Sequence, residues 1–209
     1  TENRKPKHEN RKTKTMSNSI TLLLRNVRAS YPKIDTPGEP QNGAAVGKYG
    51  VTGLLDRDEH AADIKAIRKF AKRMFEEKND GRSFGAEKKG LRDGDGEDCK
   101  NPEYAGFEYL VANNKNAPVF INNKGSAAPV AEARGVVYGG CYVNMKVEIY
   151  YHDHKKGGKR LDASLLAIQF AGHGDAFGGS VISDEEAEEG FVFSLGFDFY
   201  YCWGSVLIE

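Results

Sequence analysis

Three side chains on one predicted strand have the residue types and the spacing to hold an unpaired polynucleotide. Tyr142, Lys146 and Tyr150 are four residues apart, and side chains an even number of residues apart point to the same face of a strand. A tyrosine ring can stack on an unpaired base, which contributes about 1–3 kcal/mol, and a lysine can pair with a phosphate. An ordinary solvated strand face fits the same spacing, and the residues alone leave the two interpretations open.

Further tyrosines and basic residues extend this hypothesis. The basic segments Arg82–Arg92 and Lys155–Arg160 could contact phosphates through charge, with affinity that falls as salt rises, although a basic loop is more often simply solvated. Any of the additional rings fits a core position as well. The predicted DNA-binding residues are Tyr31, Lys33, Tyr49, Lys88, Lys89, Arg92, Tyr104, Tyr109, Lys115, Tyr142, Lys146, Tyr150, Lys156 and Lys159.

Charge is distributed unevenly along the 209 residues, although the formal net charge is zero. All 30 Lys and Arg residues lie at or before Arg160, where 21 acidic residues leave +9, and the remainder of the chain carries −9. A positive body attracts polyanions, and a tethered acidic segment can compete for the same surface. The predicted regulatory tail consists of Asp184, Glu185, Glu186, Glu188, Glu189 and Phe191, and acidic tails of this kind also occur for solubility alone.

Other chemistries fit the sequence poorly, and we expect no cofactor and no metal. Gly85–Gly90 has the glycine spacing of a phosphate-binding loop, but Leu91 and Arg92 stand where Lys and Ser or Thr are required. Asp93, Asp95 and Glu97 begin like a calcium loop that Asp98 then interrupts. His152, His154 and His173 are better interpreted as surface histidines than as zinc ligands.

The elements that must position these residues are mostly strands. We predict strands at 19–31, 48–56, 107–112, 119–122, 136–151 and 163–171, and one amphipathic helix from an N-cap at Asp58 to about Lys78. In the strand at 136–151, Cys141, Val143, Met145, Val147 and Ile149 alternate with polar residues, which indicates one buried face. Several strands with one helix favour a mainly β (α+β) fold, an OB-fold-like Greek-key barrel with one main helix and long loops.

Length and composition favour one domain with extensions. We divide the chain into a disordered basic extension at 1–15, an OB-fold domain at 16–180, and an acidic then aromatic C-terminal tail at 181–209. The first 15 residues lack the apolar segment of a signal peptide, and the three cysteines show no pairing pattern. A cytoplasmic location without membrane association is the expectation.

From about Met16 to Gly179 the chain resembles a family of tailed-phage single-stranded DNA-binding proteins. The resemblance implies an OB-fold, sequence-independent protection of single strands in replication or recombination inside the host cytoplasm, no enzymatic activity, and an acidic tail that screens the DNA groove and contacts replication proteins. Phe191 is followed by eighteen more residues, which departs from a tail that closes on an aromatic residue. The motifs that carry the resemblance are Leu24–Arg28, Ser30–Pro32, Leu91–Asp95, Tyr104–Gly106, Ala117–Val119, Val137–Val143 and Leu165–Gln169 with Gly172.

Two alternatives from other functional classes stay open at this stage. One is a phage nuclease or junction-resolving enzyme that holds Mg²⁺ on Asp93, Asp95 and Glu97. The other is a virion or assembly protein whose aromatic end makes oligomer contacts. Duplex DNA as a ligand and self-association are also undecided by the residues alone.

Overall fold

The computed structural model describes residues 17–40, 46–85, 88–155 and 157–177. The predicted basic extension, Lys156 and the acidic and aromatic tail lie outside the described residues. The described chain forms eight strands, one α-helix and two short 3₁₀ turns, at Pro102–Tyr104 and Val130–Ala133. The larger elements are β1 (Ser19–Lys33), β2 (Tyr49–Asp56), α1 (Ala61–Lys78), β3 (Leu91–Asp93), β4 (Phe107–Asn114), β5 (Val119–Ile121), β6 (Ala127–Ala128), β7 (Tyr142–His154) and β8 (Gly158–Gly172).

Five of the strands close into a barrel. The sheet order is β3-β4-β2-β1-β7-β8-β5-β6, and a parallel contact between β4 and β8, at Ala112 and Ala163, joins its two halves. The closed ring is therefore β1-β2-β4-β8-β7-β1, and its other pairings are antiparallel. A five-stranded Greek-key barrel of this kind is the OB-fold. The predicted fold class, a mainly β OB-like barrel with one main helix, is confirmed.

Alternation along β7 builds one wall of the barrel core. Val143, Met145, Val147 and Ile149 are all fully buried, whereas the residues between them are half-buried or exposed. β1 follows the same period until a bulge between Leu24 and Val27, after which its inward residues continue in the new register. The predicted alternation is confirmed, because a period of two is a local property of an extended chain.

Helix α1 covers the barrel with the apolar face that the sequence predicts. Ile64, Ile67, Phe70, Ala71 and Met74 are buried in the main core. The predicted N-cap at Asp58 is wrong, since the helix begins at Ala61. The Asp56 carboxylate instead accepts hydrogen bonds from the backbone N–H groups of Asp58 and Glu59, which hold a turn before the helix and lower the pKa of Asp56. No helix of the described chain is long and apolar enough to span a membrane.

Two other boundaries differ from prediction for identifiable reasons. β7 begins at Tyr142 rather than at residue 136, because Gly140 adopts φ +106 and turns the chain just before the strand. The short strands β3 and β6 were not predicted, since neither contains the β-branched or aromatic residues that mark β5 as a strand. β8 begins at Gly158, five residues earlier than predicted, because it pairs with β7 up to the tip of their hairpin.

Candidate nucleic-acid interface

One row of outward-facing side chains crosses five strands of the sheet. The strand registers place each side chain of this row directly opposite the next one on the neighbouring strand. In each of the five strands, a residue adjacent to the row member belongs to the main core. We call this set the transverse row. It consists of Tyr142 on β7, Arg28 on β1, Leu54 on β2, Tyr109 on β4 and Arg92 on β3. Two cations and two aromatic rings therefore share one line across the barrel surface.

A second apolar cluster stabilises the middle of this row from outside the barrel. Leu54, Tyr104 and Tyr109 form its buried centre, and Phe107, Val111, Cys99 and Phe177 pack around them. The Tyr104 and Tyr109 rings lie 5.0 Å apart between centroids and are only 3% and 8% exposed. The Tyr104 hydroxyl donates to Ser30 Oγ at 3.1 Å, and burial raises the pKa of this phenol.

This burial corrects two of the predicted stacking residues. Tyr104 and Tyr109 cannot offer a free ring face to a base in this conformation, because their rings pack on each other and on Leu54. Sequence could not exclude them, since a tyrosine suits a half-buried surface and a core equally well. Their role here is structural, because they pack against Leu54 and support the exposed members of the row.

Arg28, which lies between Tyr142 and Leu54 in the row, forms a cation–π pair with Phe177. The Arg28 guanidinium carbon lies 4.4 Å from the Phe177 ring centroid, and Arg28 Nη2 donates to the Asp175 carbonyl oxygen at 3.0 Å. Arg28 Nε is buried and has no hydrogen-bond partner among the described residues. Neither residue was among the predicted site residues. Arg28 could have been noticed as a cation inside an apolar strand, whereas nothing local marks Phe177.

The segment that carries Phe177 is held against the barrel by a close backbone approach. Phe177 N–H donates to the Gly139 carbonyl at 2.9 Å, and the Tyr138 hydroxyl donates to the Gly174 carbonyl at 2.9 Å. A Cβ on Gly140 would stand 2.0 Å from the Asp175 carbonyl oxygen, and one on Gly174 would stand 2.4 Å from the Gly140 carbonyl oxygen. Glycine at both positions is therefore required for Phe177 to reach Arg28.

Tyr31 presents an exposed ring beside this surface. Its side chain is 60% exposed, and it is the one aromatic residue among the exposed large hydrophobic residues of the described chain. Its φ of 47 is rare for a bulky residue and coincides with a register shift between Ser30 and Lys33. Such strain persists only where the surrounding structure holds it, and it is common at binding sites. Lys33 is exposed and Tyr49 half-buried, one on each side of the β1–β2 loop.

The two basic segments predicted separately lie together at the β7–β8 hairpin. Lys88 Nζ is 3.9 Å from the point where a Cβ would stand on Gly158, and Lys159 Nζ donates to the Lys78 carbonyl at the end of α1. The loop between α1 and β3, which carries Lys88, is anchored by Phe84, whose buried ring packs edge-on against Phe75 and stacks on Tyr151. Lys89, next to Lys88 in the chain, is exposed. We call Lys88, Lys155 and Lys159 the hairpin lysines.

The outer face of β7 forms a separate surface that shares only Tyr142 with the transverse row. Lys146 is exposed and pairs in register with Leu23 and Ala167, and Tyr150 is opposite Ser19 and Asp162. The three residues share one face, as the spacing predicts. Lys115 is exposed on the β4–β5 loop, one residue beyond Asn114, which pairs in register with Tyr49.

The carboxylates considered for Mg²⁺ already have a cationic partner. Arg57 Nη2 lies 2.6 Å from Asp93 Oδ1 and 2.7 Å from Asp95 Oδ2. Asp95 also accepts a hydrogen bond from the Gly106 N–H, which lowers the pKa of that carboxyl group. A metal ion would have to displace Arg57, and no group of three or more potential metal ligands occurs among the described residues. These contacts explain the acidic loop as a structural turn.

Comparisons with known proteins identify the family to which the chain belongs. The family profile described as "Enterobacter phage Enc34, ssDNA-binding protein" matches residues 20–192. Protein p50 of Acyrthosiphon pisum secondary endosymbiont phage 1 is 35% identical over 179 residues, which cover 81% of this chain and 94% of that protein.

Two solved structures of bacteriophage Enc34 single-stranded DNA-binding protein are similar in fold. The C-terminally truncated form matches with a TM-score of 0.66 and 25% identity, covering 78% of this chain and 95% of that chain. The form in complex with single-stranded DNA matches with a TM-score of 0.65 and 27% identity, covering 77% and 90%.

Proposed function

The chain belongs to the family of the Enterobacter phage Enc34 single-stranded DNA-binding protein, and on that premise we propose that it coats single-stranded DNA without sequence selection. The process served would be phage replication or recombination in the host cytoplasm, with no catalytic step. The observation that carries the proposal for this chain is the transverse row, which aligns Arg28 on β1 and Arg92 on β3 with Tyr142 on β7 and Tyr109 on β4.

The position of the row in the barrel supports this assignment. OB-folds bind oligonucleotides on the face of their second and third barrel strands and with the loops that join strands 1 to 2 and 4 to 5. In this chain those strands are β2 and β4, and those loops are residues 34–48 and 155–157. Tyr31, Lys33 and Tyr49 border the first loop, and the hairpin lysines surround the second. We assign the DNA path to this surface.

The proposed contacts combine charge with ring stacking. Tyr31, Tyr142 and Phe177 offer ring surface that is at least partly exposed, and Arg28, Arg92 and the hairpin lysines offer charge for phosphates. Each base stacked on an aromatic ring contributes about 1–3 kcal/mol, and phosphate contacts make the affinity fall with salt. Lys146 and Tyr150 define an alternative path along the outer face of β7, and Lys115 stays a proposed peripheral contact.

We further propose that the acidic tail regulates access to this surface. Asp184, Glu185, Glu186, Glu188 and Glu189 would compete with DNA for the basic surface as a tethered anion, with Phe191 as a partner contact. Replication proteins would bind the tail once DNA has displaced it. Deleting residues 183–209 should then tighten binding to single strands. It should reduce the salt dependence of that binding less than the loss of a cation from the basic surface would.

The central test is a fluorescence-anisotropy titration with oligo-dT and with a duplex of equal length at two salt concentrations. We expect tight binding of oligo-dT that weakens steeply as salt rises. Absence of binding at low salt would refute the proposal. Equal affinity for both probes would replace it with general DNA binding. Unchanged affinity after removal of residues 183–209 would refute the tail mechanism alone.

A further inference from the structure

A cleft of about 570 Å³ opens between α1 and the edge strand β3. Its apolar wall consists of Ile67, Ala71, Phe75 and Leu91, all of which belong to the main core or pack against it. Small-molecule sites typically enclose about 300–1,000 Å³ and combine apolar walls with a few polar groups. The cleft has the size and the lining to receive a flat organic group.

A buried carboxylate stands in this apolar wall. Glu108 on β4 is only 6% exposed, and its Oε1 accepts a hydrogen bond from Arg68 Nη2 on α1. Arg68 is itself mostly exposed, so the pair closes one side of the cleft while the carboxylate remains inside. Burial raises the pKa of Glu108, and the charge of Arg68 opposes that effect. An ionised carboxylate has two oxygens that can each accept hydrogen bonds, so Glu108 can accept from Arg68 and from the N–H donor of a ligand together.

The charges around the cleft balance each other. Arg68, Lys89 and Arg92 contribute three positive charges, and Asp93, Asp98 and Glu108 contribute three negative ones. A phosphate therefore gains no net attraction inside the cleft. A neutral ring with hydrogen-bond donors fits it better.

The cleft adjoins one end of the proposed DNA path, at the edge strand β3. Arg92 and Tyr109 end the transverse row and also line the cleft, with the Arg92 guanidinium 5.9 Å from the Tyr109 ring centroid. Lys89 lines the cleft too, and it adjoins Lys88 of the hairpin lysines. A strand whose phosphates follow these cations would place one nucleotide over the cleft, between Arg92 and Lys89.

We propose that this cleft binds one unstacked nucleobase that carries an exocyclic amino group, cytosine or adenine, with that group donating to Glu108. The inference rests on the proposed function, because only a bound single strand brings a base to this position. Cytosine N4 and adenine N6 are donors, and carboxylates accept readily from cytosine N4. Thymine presents the O4 acceptor at the same edge, which a carboxylate disfavours. The protein then tolerates any sequence but prefers an amino base at one position of its footprint.

Anisotropy titrations with oligo-dC, oligo-dT and an oligonucleotide of N4,N4-dimethyl-dC test this directly. We expect the wild-type protein to bind oligo-dC about 10-fold to 150-fold more tightly than oligo-dT, the range that one hydrogen bond to a charged group implies. Dimethylation removes both N4 donors and should abolish the preference without any change to the protein.

Protein variants then locate the preference. In Glu108→Gln the dC to dT ratio should fall toward one, since an amide can donate as well as accept. Ala71→Leu should also reduce the ratio by filling the cleft, and it provides a second variant should Glu108→Gln fold poorly. Glu132→Gln, at an exposed residue of the 3₁₀ turn at Val130–Ala133, is the matched control and should retain the wild-type ratio.

The outcomes separate this inference from the proposed function. Equal wild-type affinity for oligo-dC and oligo-dT, with oligo-dT still bound, would overturn the base site and leave the proposed function intact. A preference that survives dimethylation or Glu108→Gln would likewise overturn it. Failure to bind any of the three probes at low salt would overturn the proposed function itself.

Discussion

Replacing Tyr31 by alanine provides the sharpest test of where the DNA path lies. The ring is 60% exposed, so its removal eliminates little packing, and surface substitutions usually change the free energy of unfolding by less than about 0.5 kcal/mol. If a base stacks on it, the loss is about 1–3 kcal/mol of binding free energy, or roughly 5-fold to 150-fold in Kd. Anisotropy with a short oligo-dT measures this loss directly.

Two companion variants make the Tyr31 result specific. Tyr31→Phe retains the ring, and neither Phe nor Ala relieves the positive φ at this position, so the pair isolates stacking from backbone strain. Tyr150→Ala removes a ring from the outer face of β7 and should leave affinity unchanged. Unchanged affinity in Tyr31→Ala together with a loss in Tyr150→Ala would refute the transverse path and favour the β7 face.

Three further predictions concern charge, pH and the core. Arg92→Gln should weaken oligo-dT binding and reduce the slope of log affinity against log salt by about one, and an unchanged slope would remove Arg92 from the phosphate contacts. Burial raises the pKa of Glu108 above 4.5, so ionisation of this carboxyl group opposes folding. The free energy of unfolding of the wild-type protein should therefore fall relative to that of Glu108→Gln as pH rises from below 4.5 through the raised pKa. Urea unfolding of both proteins at acidic and neutral pH measures this difference in stability, and a difference that does not change with pH would contradict the prediction. Met74→Ala should lower the free energy of unfolding by about 2–5 kcal/mol with oligo-dT affinity retained, since Met74 is fully buried on the core-facing side of α1.

Local periodicity made much of the fold predictable from the sequence. The burial of alternate residues along β7 and of one face of α1 follows from repeats of 2 and 3.6 residues, which need no knowledge of distant partners. Errors occurred where the chain leaves those periods. The φ of Gly140 delays the start of β7, and the Asp56 carboxylate, not Asp58, holds the turn before α1.

The candidate site was predictable in composition but not in arrangement. The sequence predicted a site of tyrosines and basic loops, and three of the predicted residues, Tyr31, Arg92 and Tyr142, lie in or beside the transverse row. It could not distinguish Tyr31, which is exposed, from Tyr109, which is 8% exposed, because the same residue type satisfies either environment.

The sequence by itself determined the barrel class, the single main helix of the described chain and the separation of basic from acidic residues. Tertiary structure alone decided which rings and cations share a surface. Arg28 reaches a carbonyl 147 residues further along the chain, and the transverse row exists only because four strand registers align. Local patterns specify the direction in which a side chain points from its own strand. The neighbours it meets there depend on long-range pairing, which the packing of the whole core selects.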